Sequence, residues 1–198
     1  EIRKLVNPDF KIKDKDFLTE LIKRLAEKNI LVFEFVETWN KKERANIDGF
    51  FLNPNVIVLK RQQISFKREI FTLAHELGHY LLNEEEIDQI DYQDFVNQKL
   101  SRIETWCNDF AFYFLSGEFE KIIETIDNST AHNDYNIDLI QSISEQTHLS
   151  RIAIFTKLLL LNKISPANYN KVKAGFEEDL RIHNEELKKK RELDKQNG

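Results

Sequence analysis

Two histidines four positions apart, His75 and His79, stand with Glu76 in a stretch whose apolar residues recur at helical spacing, and nothing else in the chain constrains it as much. Phe71, Ala74, Leu77, Gly78, Leu81 and Leu82 form a stripe down residues 71–82, so the segment is expected to be a packed helix with its histidines near the buried side. Positions i and i+4 share a helix face, so both imidazoles can reach a single ion. Glu76, one position round, then stands beside the ion's open coordination site, where a carboxylate can take a proton from a bound water. The bare His-Glu-x-x-His pattern occurs by chance on surface helices; the apolar stripe separates this one from such accidents. Gly78 lowers helix propensity by about 1 kcal/mol relative to alanine and marks a close approach to the backbone, by another helix or by the metal site.

Two histidines leave a zinc site one protein ligand short. A third histidine soon after a following glycine is absent, because Leu82 stands where that glycine would be. A carboxylate from a later helix is the remaining source. Between Leu100 and Leu115 the residues Leu100, Ile103, Cys107, Phe110, Ala111 and Phe114 form one apolar face, and Glu104 falls in the middle of it. Burying a carboxylate there is costly without a cation, and a metal ion supplies one. Asn108, four residues on and on the same side, is placed to hydrogen-bond a ligand from behind. Glu84, Glu85, Glu86, Asp88 and Asp91 compete for the ligand role but read as solvated charges beyond the helix end.

The run Phe71-Thr72-Leu73-Ala74-His75-Glu76-Leu77-Gly78-His79-Tyr80-Leu81-Leu82, followed by Glu104-x-x-Cys107-Asn108-x-Phe110-Ala111, resembles the ImmA/IrrE family of metallopeptidases. The usual second motif of that family is Glu-x-x-Ala-Asn-x-Phe-Ala. Cys107 replaces its alanine, and Ser116-Gly117 stands where the family often has a proline-ended turn. The resemblance implies a gluzincin-like site with His75, His79 and Glu104 as zinc ligands and Glu76 as general base. It also implies a protein substrate, a helix-turn-helix repressor or antitoxin of a bacterial phage, mobile element or stress-response module.

The remaining composition narrows the alternatives. At 198 residues, 41% hydrophobic and 32% charged, the chain has a soluble globular balance, and its 15 phenylalanines point to an aromatic core. A net charge of -5 argues against broad nucleic-acid binding. One cysteine excludes an internal disulfide and fits a reducing cytoplasm. No apolar run is long enough for a membrane. No serine or cysteine nucleophile signature supports covalent catalysis.

The expected fold is α+β, a small antiparallel or mixed three-stranded sheet packed by helices, with a helical C-terminal part. A packing helix over Asp16 to Asn29, with Asp14 or Asp16 as its cap, precedes strands at Ile30 to Val36, Asn46 to Leu52 and Val56 to Lys60, the last two joined by Asn53-Pro54-Asn55. In zinc peptidases of the type this chain resembles, the substrate adds itself to an exposed strand; Val56 to Lys60 is the candidate edge, with a covered strand as the alternative. Ser65 opens the metal helix. Residues 83–98 form an acidic loop and short helix, and Phe119 to Asp127 a short helix. Ile137 to Lys163 reads as two helices around His148-Leu149-Ser150. Their outline could pass for a helix-turn-helix, but Arg151, Lys157 and Lys163 are few for gripping phosphates, so no direct nucleic-acid contact is expected. By composition the chain divides into a zinc-peptidase-like domain over residues 1–127, a helical subdomain over 128–170, and a charged helical or disordered tail over 171–198.

For an oxyanion donor or substrate contact, Tyr80, Tyr92, Tyr113 and His132 are the candidates, His132 only if its polar loop folds back over the site, and the sequence does not choose among them. Cys107 reads as a small buried residue rather than a ligand. Two functions follow: a zinc-dependent endopeptidase acting on a repressor, or a zinc-containing anti-repressor that sequesters its partner uncut.

Overall fold

The computed structural model describes residues 2–36, 47–61, 65–85, 101–126 and 137–196. It opens with helices α1 (Ile2–Val6) and α2 (Asp14–Ala26), then strands β1 (Leu31–Phe35), β2 (Gly49–Leu52) and β3 (Val56–Lys60). The metal-motif helix α3 (Phe66–Leu82) follows, then α4 (Arg102–Ser116), a 3-10 turn (Gly117–Phe119) and α5 (Glu120–Thr125). Helices α6 (Ile137–Gln146), α7 (Arg151–Leu160) and the long α8 (Pro166–Gln196) complete it. The architecture is α+β with a three-stranded mixed sheet. No described helix is long and apolar enough to cross a membrane.

The strand order is β1-β3-β2, with β3 parallel to β1 and antiparallel to β2. The strand expected at the edge, Val56 to Lys60, is therefore the central one, and among the described residues β1 and β2 are the edges. The reason is in its composition: Val56-Ile57-Val58-Leu59 is a continuous apolar run, suited to a strand flanked on both sides. Phe51, Ile57 and Leu59 point into the core, while Leu31, Phe33, Phe50, Leu52, Val56 and Val58 alternate onto the opposite face.

Helix α2 starts at Asp14, earlier than expected, and Lys13 holds the N-cap position without a side-chain bond. Asp14 does not cap because its carboxylate accepts a hydrogen bond from His148 Nδ1 at 2.7 Å instead. Asn29, past the helix end, takes the left-handed conformation at φ 60. Ser65 does precede α3, in extended conformation but without a capping bond, and Asn83 ends the helix at φ 57. Ser101 and Ser150 cap α4 and α7, accepting from the backbone N–H of Glu104 and Ala153.

Helix α3 is buried from Glu69 to His79 over most of its circumference. It lies between the sheet, which it meets through β2 and β3, and α4, its most extensive neighbour. One hydrophobic core runs from Val6 through Phe17, Leu73 and Phe114 to Phe155 and Tyr169. Arg61 ties the start of α3 to the sheet, donating from Nε to Glu69 at 2.9 Å and from Nη1 to Glu34.

Candidate metal centre

His75 and His79 leave one face of α3 on successive turns, and Glu104 meets them from the first turn of α4. Their inner atoms converge. His75 Nε2 lies 3.1 Å from His79 Nε2 and 3.1 Å from Glu104 Oε2, and His79 Nε2 lies 3.0 Å from Glu104 Oε1. All three side chains are buried.

The outer ring nitrogens decide what faces inward. His75 Nδ1 donates to Asn108 Oδ1 at 3.0 Å, and His79 Nδ1 donates to the Glu84 carbonyl at 3.2 Å, since both oxygens can only accept. In the neutral tautomers so fixed, each Nε2 presents a lone pair to the other and to a carboxylate. Glu104 Oε2 and Glu76 Oε2 have no hydrogen-bond partner among the described residues. A buried cluster of acceptors with no donor calls for a cation. Without a metal the cluster takes up a proton in its place. Burial opposes a charge on His79, yet hydrogen bonds to Cys107 and Glu104 push its pKa up to about 10, so in the metal-free chain its Nε2 carries the proton that a bound cation displaces. Burial likewise opposes the Glu104 carboxylate, yet His75 and His79 hold it down at about 2.

These residues fit a divalent metal. Two imidazole nitrogens and one carboxylate oxygen, all within 4.8 Å of one another, form the three-ligand set that leaves a fourth tetrahedral position open. Bonds of about 2.1 Å at tetrahedral angles separate ligand atoms by roughly 3.4 Å, so a modest outward adjustment from the observed spacing accommodates the ion.

Glu76 is buried on the sheet side of α3, where the Phe51 N–H donates to its carboxylate. Burial, opposed by His75 and His79, pushes its pKa up to about 7. The approach of β2 to α3 at this point depends on Gly49. A Cβ there would lie 2.8 Å from Thr72 Cγ2 and 3.3 Å from Glu76 Cγ. Gly78 plays the corresponding part on the other side, where a Cβ would lie 3.1 Å from Cys107 Sγ and 3.2 Å from Cys107 Cα. Cys107 is buried in this contact and supplies none of the three ligand atoms.

The structure brings together His75, Glu76, His79, Glu104 and Asn108. Tyr80 packs its ring edge-on to Phe51 at 5.9 Å, on the sheet side of α3. Tyr113 is nine positions beyond Glu104 along α4, roughly 13 Å by helical rise, and its ring faces Lys157 Nζ at 4.5 Å. It is not part of the cluster. His132 and Tyr92 lie outside the described residues. Sequence reasoning did not single out Gly49, the Phe51 N–H or the Glu84 carbonyl. A glycine inside a strand pattern is a signal for close backbone approach and pointed to Gly49; the two backbone groups carry no residue-specific signal.

Against known families, the model of the IrrE N-terminal-like domain of the M78 peptidases matches residues 25–136. That span contains all three strands, α3 and α4, and stops before α6. No curated protein and no solved structure matches the chain.

Proposed function

The chain belongs to the M78 peptidases through its IrrE N-terminal-like domain, and from that premise we propose that it is a zinc-dependent endopeptidase that cuts a protein, a helix-turn-helix repressor or antitoxin. The observation that carries the reading is the buried convergence of His75, His79 and Glu104, with Glu76 one helical position away and its Oε2 unpartnered. The substrate class rests on the motif resemblance at residues 71–82 and 104–111.

A bound zinc ion supplies Lewis acidity, polarising a peptide carbonyl and acidifying a water. The chain's own groups do the rest. Asn108 and the Glu84 carbonyl fix both histidine tautomers. Phe51 holds the Glu76 carboxylate in place and leaves Oε2 to accept the attacking water's proton, which Glu76 then returns to the leaving amine.

Substrate backbone adds along β2. Lys60 N–H donates to the Asp48 carbonyl at 2.8 Å, so by antiparallel alternation Asp48, Phe50 and Leu52 bond to β3, while Gly49 and Phe51 turn their carbonyls to the outer edge. That edge passes directly over Glu76, and an extended peptide lying on it brings a scissile bond to the site.

The test is to load the purified chain with zinc, measure its metal content by mass spectrometry, and incubate it with the repressor encoded beside its gene. Two repressor fragments from the wild type and none from a zinc-loaded Glu76→Gln variant are expected. Intact repressor held in a stable complex with the wild type would overturn cleavage in favour of sequestration.

A further inference from the structure

The two helices that carry the proposed ligands are each pinned to the same outside element. Lys67, in the first turn of α3, donates through Nζ to the carbonyls of Ser144, Thr147 and Leu149 and to Ser144 Oγ, all at the α6–α7 turn. Lys157 reaches from α7 in the other direction. Its side chain is buried, and Nζ donates to Asp109 Oδ1 on α4 at 2.8 Å, with the Tyr113 hydroxyl in hydrogen-bonding reach and both the Phe112 and Tyr113 rings beside it. Asp109 directly follows Asn108, the residue that orients His75, and Asp109 and Tyr113 are four apart on one side of α4, as Glu104 and Asn108 are on the adjacent side.

We propose that the α6–α7 pair, which lies beyond the span matched by the family model, is part of the scaffold of the metal centre, and that Lys157 is a positioning residue setting Glu104 and Asn108 against His75 and His79 through its grip on Asp109. The inference rests on the zinc reading above. Its physical basis is leverage. A carboxylate carried about 6 Å from a helix axis moves by about 0.2 Å, the tolerance of a metal site, when the helix rotates by roughly 2°. The Gly78–Cys107 contact fixes how closely α4 approaches α3 but does not stop it rolling. A lysine planted on the neighbouring side of α4, from an element itself locked to α3 through Lys67, stops the roll. The ammonium is desolvated and paired, so releasing it leaves Asp109 without its partner and α4 without its brace. Groups that orient metal ligands from behind shift metal affinity by about 10- to 100-fold when removed.

The experiment measures zinc dissociation constants for the full chain by competition with a chromogenic chelator, beside urea unfolding of the metal-free forms. The set is wild type, Lys157→Met, Asp109→Asn and Lys157→Arg. Lys157→Met and Asp109→Asn are expected to weaken zinc about 10-fold or more, with Lys157→Arg, which keeps charge and reach, staying within about threefold of wild type. Asp109 is 43% exposed, so Asp109→Asn decides the matter even where Lys157→Met does not fold. Lower metal-free stability with zinc affinity unchanged would overturn the inference and leave the zinc reading standing. A wild-type chain that takes up no zinc would overturn both.

Discussion

Replacing Gly78 with alanine tests whether helix spacing, rather than the ligands alone, sets the metal site. The new Cβ would sit 3.1 Å from Cys107 Sγ and 3.2 Å from Cys107 Cα and Cβ. Carbon atoms in ordinary contact stand about 3.5–4.0 Å apart, so α4 must give by a few tenths of an ångström. A side-chain tip could swing away, but a Cα cannot, so α4 moves as a body and carries Glu104, one turn earlier, with it. That shift exceeds the roughly 0.2 Å within which metal–ligand distances are held. Stability responds differently. Alanine gains about 1 kcal/mol of helix propensity, which offsets much of an overpacking cost of about 1–3 kcal/mol. Gly78→Ala is therefore expected to fold near wild-type stability yet bind zinc about 10-fold or more weakly, a loss of about 1.4 kcal/mol. Chelator competition reads the affinity, and circular dichroism with urea unfolding reads the fold. Adding Cys107→Gly, which removes Cβ and Sγ but leaves the 3.2 Å contact with Cα, should restore part of the loss, and Cys107→Ala, which removes Sγ alone, less of it. A folded Gly78→Ala protein with zinc affinity within about twofold of wild type would refute the claim that this contact sets the site.

Two further perturbations address the site's charges. Because burial pushes Glu76 up to about 7, the folded metal-free chain keeps a proton that the unfolded chain releases near 4.5. Stability from this group therefore falls as pH rises between those values, by about 3 kcal/mol in full. Glu76→Gln should stabilise the metal-free protein at pH 8 and change it little at pH 4 in urea unfolding; an equal effect at both would contradict the assignment. Glu104→Ala removes the carboxylate opposite two imidazole lone pairs and should abolish zinc retention through dialysis, measured by metal analysis, while Glu118→Ala, at an exposed glutamate, should retain a full equivalent.

The strand positions were legible to within a few residues because β-branched and aromatic runs bounded by turns are local signals. Their order was not, and Val56 to Lys60 proved to be the middle of the sheet. Asp14 resembled a cap until His148, distant in the chain, was found to hold its carboxylate. The short helix α1 has too few residues for a periodic signal.

The chain's letters alone determined that His75, Glu76 and His79 share one helical turn and that Glu104 interrupts an otherwise apolar face, because both follow from the 3.6-residue repeat, a property of neighbouring residues. Tertiary structure alone decided that β2 supplies the edge beside Glu76, that Phe51 and Glu84 lend backbone groups to the site, and that Lys67 and Lys157 tie both helices of the candidate centre to α6 and α7. Those pairings join residues far apart along the chain, and which of many such partners meet depends on how whole elements pack to exclude water, an outcome that no local repeat encodes.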